Sequence, residues 1–372
     1  MAKKMYFGVG GKARKVKKMY FGVGGKARKV KKGYIGIGGK ARPFFSSGEL
    51  AYYGTVTDLS VARYNLAATS IGNYALFGGG QGTAGRTAVV NAYDISLTRS
   101  TPTALSSTRI NLAATSNKNY ALFGGGHVSN LAGRTSVVNA YDANLTQSTP
   151  ESLSYSKDEL AATAVGNYAL FGGGYTTERG ANSAVDAYNT SLARSTPTAL
   201  SVGRYRLAAT TIDNYALFGG GSGDSSKSAV DAYNTSLARS TPTALSAGRY
   251  RLVATAIDNY ALFGGGSGGS DWSVVDAYNT SLTRSTPTAL SVGRYQLAAT
   301  SIGNYALFGG GQPSSGYSSA VDVYDVNLAR STPTALSGAR TELAATSIGN
   351  YALFGGGYTG SCSAVVDAYT VA

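Results

Sequence analysis

Asn73-Tyr74-Ala75-Leu76-Phe77-Gly78-Gly79-Gly80 decides the fold, because the same run returns six more times. Its tyrosine recurs at Tyr120, Tyr168, Tyr215, Tyr260, Tyr305 and Tyr351, 45 to 48 residues apart, and the run from tyrosine to third glycine never varies. Self-similarity at such a period marks a solenoid, a propeller or an array. Working outward, each glycine triplet is followed by a variable polar loop and an apolar run ending in tyrosine, as in Ala184-Val185-Asp186-Ala187-Tyr188. Next come Asn-Thr-Ser-Leu-Ala-Arg, Ser195-Thr196-Pro197-Thr198-Ala199-Leu200, Gly203-Arg204-Tyr205 and Leu207-Ala208-Ala209-Thr210, which leads into the next Asn-Tyr-Ala-Leu-Phe. That makes four runs of strand length, each bounded by Gly, Asn, Asp, Ser or Pro. No window sustains the spacing of an amphipathic helix. The chain reads as all-β.

Side-chain size orders the strands. The small residues of Leu-Ala-Ala-Thr suit the crowded strand nearest a central axis, and Tyr-Ala-Leu-Phe, apolar on both faces, suits a strand between neighbouring sheets. Ser-Thr-Pro-Thr-Ala-Leu carries Pro102, Pro150, Pro197, Pro242, Pro287 and Pro333 in six copies. Proline cannot donate to a ladder, so this run is expected as the outermost strand. Four-stranded sheets repeated about an axis make a β-propeller. Thr55-Val56-Thr57-Asp58-Leu59 supplies a seventh outer strand ahead of the first inner one, and the chain stops at a third strand, Asp367-Ala368-Tyr369. The N-terminal strand is therefore expected to complete the last sheet, closing seven blades over residues 46–372.

The glycine doublet ending the second strand and a tyrosine in the third, as in Gly78-Gly79 with Tyr93, resemble the kelch repeat. The resemblance covers roughly residues 50–372 and implies binding through loops at the rim of a central channel. It departs at one place. Kelch units usually carry a tryptophan near the start of the fourth strand, where this chain has residues such as Arg194 and Ser195; its one tryptophan, Trp272, falls in a loop.

Charge divides the chain. Of 33 lysines and arginines, 14 lie in residues 1–42, which hold no acid; the other 19 meet 19 acidic residues. The repeat region is formally neutral, which argues against a general nucleic-acid binder. The basic leader, residues 1–45, is itself repetitive: the 14 residues from Met5 to Lys18 recur from Met19, and a diverged copy runs from Gly33 to Phe45. Each copy reads as strand, Gly-Gly turn, strand, or else as a solvated basic arm. Tyr34-Ile35-Gly36-Ile37-Gly38-Gly39-Lys40-Ala41-Arg42 and its two preceding copies resemble repeats at the starts of tail-region proteins of Gram-positive phages and prophages. The resemblance implies that the leader docks on a virion or tail protein while the propeller faces outward. The basic start has no apolar region after it, so no signal peptide is expected, nor is any run long and apolar enough for a membrane span. Localisation is read as the phage particle, made in the bacterial cytoplasm, with a cytoplasmic protein as the alternative.

Residue inventory disfavours an enzyme. One histidine, His127, leaves a Ser-His-Asp triad a single candidate base, and copper or clustered zinc ligands are missing. The glycine triplets end strands and open no helix, so they are not phosphate loops. No metal or cofactor is expected. Asp158, Glu159 and Glu342 break the repeat and keep a paired-carboxylate glycan-cleaving reading open. Asp186, Asp231, Asp276, Asp322 and Asp367 recur before a strand tyrosine and read as structural. Asn189, Asn234 and Asn279 match glycosylation acceptors only as repeat positions, and Cys362 is an isolated loop thiol.

Two surfaces are candidate binding sites. Eleven residues before each repeat tyrosine stands a cation: Arg63, Arg109, Lys157, Arg204, Arg249, Arg294 and Arg340. Tyr64, Tyr205, Tyr250 and Tyr295 follow four of them. Placed at one channel rim, the seven would attract anions while the tyrosines stack on sugars; alternatively, each cation pairs with a carboxylate or carbonyl of a neighbouring sheet. The second surface is the set of loops at 81–87, 127–136, 175–183, 267–273 and 312–319, with Tyr175, Trp272, Tyr317 and Tyr358 as exposed aromatics. Variable loops on a rigid scaffold are how specificity is commonly built. The expectation is a non-enzymatic virion protein binding a host-surface glycan, or another cell-wall polymer, with an intracellular protein–protein scaffold as the alternative.

Overall fold

The structure, a computed structural model of the chain, describes residues 6–9, 12–15, 20–23, 26–29, 32–37, 40–46, 48–129 and 133–371. Every regular element among them is a strand, and no helix is long and apolar enough to cross a membrane. Seven four-stranded antiparallel sheets recur along the repeat region. In the first sheet the strands are Ala67–Ile71, Tyr74–Gly78, Val90–Asp94 and Arg99–Ser100. The tight link between the first two strands is a pair such as Gly72-Asn73 or Asp213-Asn214, whose first residue has positive φ (54° and 46°). Such a left-handed turn matches the twist of a β-hairpin.

The first strands follow one another: each packs beside the next, and Ala344–Ile348 of the seventh sheet packs beside Ala67–Ile71 of the first. Their exposure alternates, with Ala67, Thr69 and Ile71 buried while Ala68 and Ser70 stay partly open. The second and third strands bury both faces. Seven similar cores result, each sharing side chains of two adjacent sheets. One holds Ile212, Leu217, Val230, Leu245, Leu252, Phe263 and Tyr278.

The invariant triplet has a separate cause at each glycine. A Cβ on Gly219 would lie 2.7 Å from Phe263 of the next sheet, whose ring edge rests on the glycine backbone. The same contact links Gly78 to Phe123 and, from last sheet to first, Gly355 to Phe77. Gly220 (φ 69°) would strike the carbonyl of Arg249, and Gly221 (φ 112°) the carbonyl of Tyr205. Close approach and left-handed backbone together leave no room for a side chain.

Two sequence expectations need correction. The fourth strand is not Ser-Thr-Pro-Thr-Ala-Leu but the residue before that run together with its first serine, Arg194–Ser195 in the third sheet. The following residue and Pro197 end the ladder, since proline has no N–H and restricts its predecessor. Leu200 beyond it is buried, and its N–H donates to Ser183 O at 2.8 Å. The N-terminal strand also begins earlier than expected. It spans Leu50–Val56 and pairs with Val366–Val371 (Val56 opposite Val366, Leu50 opposite Val371), with an irregularity between Ala368 and Tyr369. Leu59 matches Leu105 as expected, donating to Ala364 O at 2.8 Å where Leu105 donates to Ala88 O at 2.8 Å. The anticipated completion of the last sheet by the N-terminal segment is present.

In the leader, Tyr6–Val9 pairs with Lys12–Lys15, Tyr20–Val23 with Lys26–Lys29, and Lys32–Ile37 with Lys40–Ser46. The Gly-Gly turns between these paired strands lie outside the described residues.

The N-terminal strand sets a test. A chain lacking residues 1–47 is expected to melt like the full protein. Removing residues 1–57 deletes the seventh sheet's outer strand and the Tyr52 hydroxyl, which donates to buried Asp367 at 2.6 Å. Leaving that acceptor short costs about 1–3 kcal/mol before any ladder loss. Thermal melts of the two truncations check this; equal midpoints would refute it.

Candidate functional site

The seven cations do not line a rim. Arg63, Arg109, Lys157, Arg204, Arg249, Arg294 and Arg340 are at most 1% exposed, so the exposed anion-binding ring expected from the sequence is corrected. Each points back into its own sheet. Arg204 donates through Nη2 to Phe218 O at 3.1 Å and to Asp231 at 2.7 Å. Asp231 also accepts from the Ser201 N–H at 3.0 Å and hydroxyl at 3.0 Å, and pairs with Arg239 on the outer strand at 3.4 Å. Asp231 and Arg204 thereby tie the second, third and fourth strands to the incoming connection. Asp186, Asp276 and Asp322 repeat the arrangement with Lys157, Arg249 and Arg294 and with an outer arginine each. Asp367 pairs with Arg340 and takes the Tyr52 hydroxyl instead.

The first two sheets lack the carboxylate. Arg63 and Arg109 meet the amide oxygens of Asn91 (3.0 Å) and Asn139 (2.5 Å). Burial lowers both guanidinium pKa values to about 10, so both remain cations near neutrality, with no counter-ion among the described residues.

Two residues after each cation the chain turns left-handed, at Asn65, Asn111, Glu159, Arg206, Arg251, Gln296 and Glu342, with φ between 52° and 56°. Each of these donates its N–H to the carbonyl of its counterpart in the preceding sheet: Asn111 to Asn65, Glu159 to Asn111, Arg206 to Glu159, Arg251 to Arg206, Gln296 to Arg251, Glu342 to Gln296 and Asn65 to Glu342, at 2.8–3.2 Å. The cycle returns to its start. All seven residues line one cavity of about 460 Å³, together with the leucines that immediately precede five of the first strands. Sequence reading passed over this ring apart from Glu159 and Glu342. Its available signal is a position that varies (Asn, Asn, Glu, Arg, Arg, Gln, Glu) inside an otherwise constant segment.

Within the mouth, Arg206 pairs with Glu159 at 2.8 Å, and Gln296 bonds to the Glu342 carboxylate. Burial pushes the Glu342 pKa up, opposed by Arg251 and by hydrogen bonds from Gln296 and Asn65. Of the three candidate carboxylates, Asp158 is buried and held by Arg134 at 2.5 Å, Glu159 is tied to Arg206, and Glu159 and Glu342 both line the cavity.

The predicted aromatics gather on the same side as the mouth. Tyr64, Tyr205, Tyr250 and Tyr295 immediately precede ring residues, and each bridges to the first residue after a glycine triplet. Tyr64 packs edge-on against Tyr358 (5.1 Å), Tyr175 against Tyr205 (5.2 Å) and Tyr317 against Tyr358 (5.9 Å). All eight candidate aromatics are half-buried, so the loop four are less exposed than expected. The Trp272 indole N–H is buried beside Gly268 with no hydrogen-bond partner among the described residues. Arg251 lies over the Tyr295 ring at 5.8 Å and Arg206 over Tyr205 at 5.3 Å. His127 begins the second sheet's loop, bridged to Ile110, and burial lowers its pKa. The loop at 127–136 is described except for residues 130–132. Cys362 places its thiol 3.7 Å from Gln81 O.

Comparison with protein-family models and with curated sequences returns no match.

Two tests follow from these environments. Arg249→Gln leaves Asp276 short of its buried partner and is expected to cost about 3–5 kcal/mol. Asn139→Asp gives Arg109 a counter-ion and should stabilise by on the order of 1–3 kcal/mol; denaturant midpoints that move the other way would refute the clamp. Glu342 tests the mouth. Its raised folded pKa favours the folded state below the ordinary glutamate range, and that component is lost as pH rises through the folded value. Glu342→Gln should remove it, visible as a flatter stability profile above about pH 4; superimposable profiles would show that Glu342 is not desolvated.

Proposed function

We propose that the seven sheets are the blades of a closed, kelch-like β-propeller and that the chain is a non-enzymatic glycan-binding module of a phage or prophage virion. Closure is supported by three sets of contacts that return from the seventh sheet to the first: the packed first strands, the phenylalanine on glycine, and the backbone cycle through Asn65 and Glu342.

The observation that carries the binding reading is the mouth itself, about 460 Å³ bounded by seven planar amide, carboxylate or guanidinium side chains, with tyrosines beside it. Pockets of this size hold one or two sugar units. Planar polar groups hydrogen-bond to hydroxyls, and tyrosine faces cover the apolar faces of sugar rings. With the carboxylates tied to arginine, glutamine or asparagine, recognition fits the geometry better than bond cleavage. The virion assignment rests on the leader, whose basic hairpins resemble phage tail-region repeats. The leader would face a virion protein, and the mouth would face the host.

Binding of the full chain to purified Gram-positive cell-wall polysaccharide tests the reading. Wild-type protein is expected to co-sediment with it. The variant Tyr205→Ala/Tyr250→Ala/Tyr295→Ala, with its fold checked by melting, should bind at least about tenfold more weakly, since stacking contributes about 0.5–1.5 kcal/mol per ring. Undiminished binding by a folded triple variant would refute the mouth as the site, and absence of the chain from purified particles would refute the virion assignment.

A further inference from the structure

The charges in the mouth are not equivalent. Of its four ionised side chains, Glu159 and Arg206 neutralise one another at 2.8 Å. Arg251 and Glu342 form no ion pair among the described residues, although both line the cavity and both are half-buried. They stand on either side of Gln296 in the backbone cycle. Arg251 lies over the Tyr295 ring, and Glu342 takes hydrogen bonds from the neutral amides of Gln296 and Asn65 while the charge of Arg251 acts on it from across the cavity. A guanidinium and a carboxylate, both half-buried, share one cavity and act on each other without meeting in an ion pair among the described residues. Burying a charge without a close partner is costly, and a ligand that brings a counter-charge up to each group pairs both of them directly.

We infer that the mouth takes a zwitterionic sugar unit, one carrying a free amino group for Glu342 and a phosphate or carboxylate for Arg251. This deepens the reading of the mouth as a sugar site and rests on it. A purely anionic sugar would leave Glu342 uncompensated and closer to a negative group, and a purely cationic one would do the same to Arg251. Neutral sugars would gain hydrogen bonds alone. Guanidinium binds phosphate and carboxylate with the same two-pronged geometry, so the structure fixes the charge pattern and leaves the acid to be distinguished by experiment.

Four sugars separate the contributions by calorimetry on the full chain: glucosamine 6-phosphate, N-acetylglucosamine 6-phosphate, glucosamine and N-acetylglucosamine. Glucosaminuronic acid, added as a fifth, tells carboxylate from phosphate. The zwitterions are expected to bind at least about tenfold more tightly than either singly charged sugar. Glu342→Gln should abolish the preference for the free amine and spare the preference for the acid. Arg251→Gln should do the reverse, and melts of both variants confirm folding. Equal affinities for all the sugars, or a charge preference unchanged in both variants, would overturn the zwitterion assignment while leaving a sugar site in place. No binding by any of them to the wild-type protein would overturn both.

Discussion

One buried carboxylate holds each of the last five sheets together, and an asparagine stands in its place in the first two. Asp231 lies on the third strand, yet its oxygens accept from Arg204 on the connection into the first strand, Arg239 on the fourth and Ser201 on the descent between sheets. Arg204 also bonds the second strand through Phe218 O. Short strands give few ladder bonds, and the fourth strand offers only two residues. The clamp compensates with charge-assisted hydrogen bonds that reach the second, third and fourth strands, stronger than neutral ones and less tolerant of misplacement. Such a site is secure only when every lone pair is satisfied, which is why serine recurs at positions such as Ser154, Ser201, Ser246 and Ser291.

The clamp also explains how the mouth can be both strained and variable. Its seven residues sit in left-handed backbone at φ 52–56° although none is glycine. That conformation costs about 1–2 kcal/mol per residue and persists only where surroundings impose it. Here the imposition is double: the clamped cation lies two residues upstream, and each ring residue spends its N–H and carbonyl on its neighbours in the cycle. With the backbone groups committed, the side chain is the only free variable. Asparagine, glutamate, arginine and glutamine can then exchange without disturbing the frame.

Much of this was legible in the residues, and the failures have identifiable causes. Period, turn chemistry and side-chain size located the first three strands, because those signals are local. The outer strand was misplaced because proline was read as marking an edge strand when it marks the strand's end. The N-terminal strand was placed late because Leu59 aligns with Leu105, a buried anchor beyond the strand rather than part of it. The cations were assigned to a rim because their recurrence was visible and their partners were not. Asp231 and Arg204 are 27 residues apart, and nothing in the spacing says that they meet. The same recurrence drew attention away from the ring two residues on, where divergence was the signal.

Seven near-identical sheets raise a problem of their own, since any third strand could pair with the wrong outer strand. Repeats of this kind misassemble through such exchanges. The seventh sheet is marked against them. Its outer strand runs seven residues, Leu50–Val56, where the other six have two, and it carries an irregular register that the short strands cannot copy. Its clamp is marked as well: Asp367 receives the Tyr52 hydroxyl where Asp186, Asp276 and Asp322 receive a second arginine. Tyr52 also packs against Tyr369 at 5.2 Å, and Tyr53 packs edge-on against Tyr351 at 5.2 Å. An arginine-bearing outer strand from another sheet would supply neither aromatic contact, and a tyrosine-bearing strand at Asp231 would remove a cation from that clamp. The two ends of the chain are therefore matched by chemistry as well as by length, which favours the one pairing that completes the last sheet.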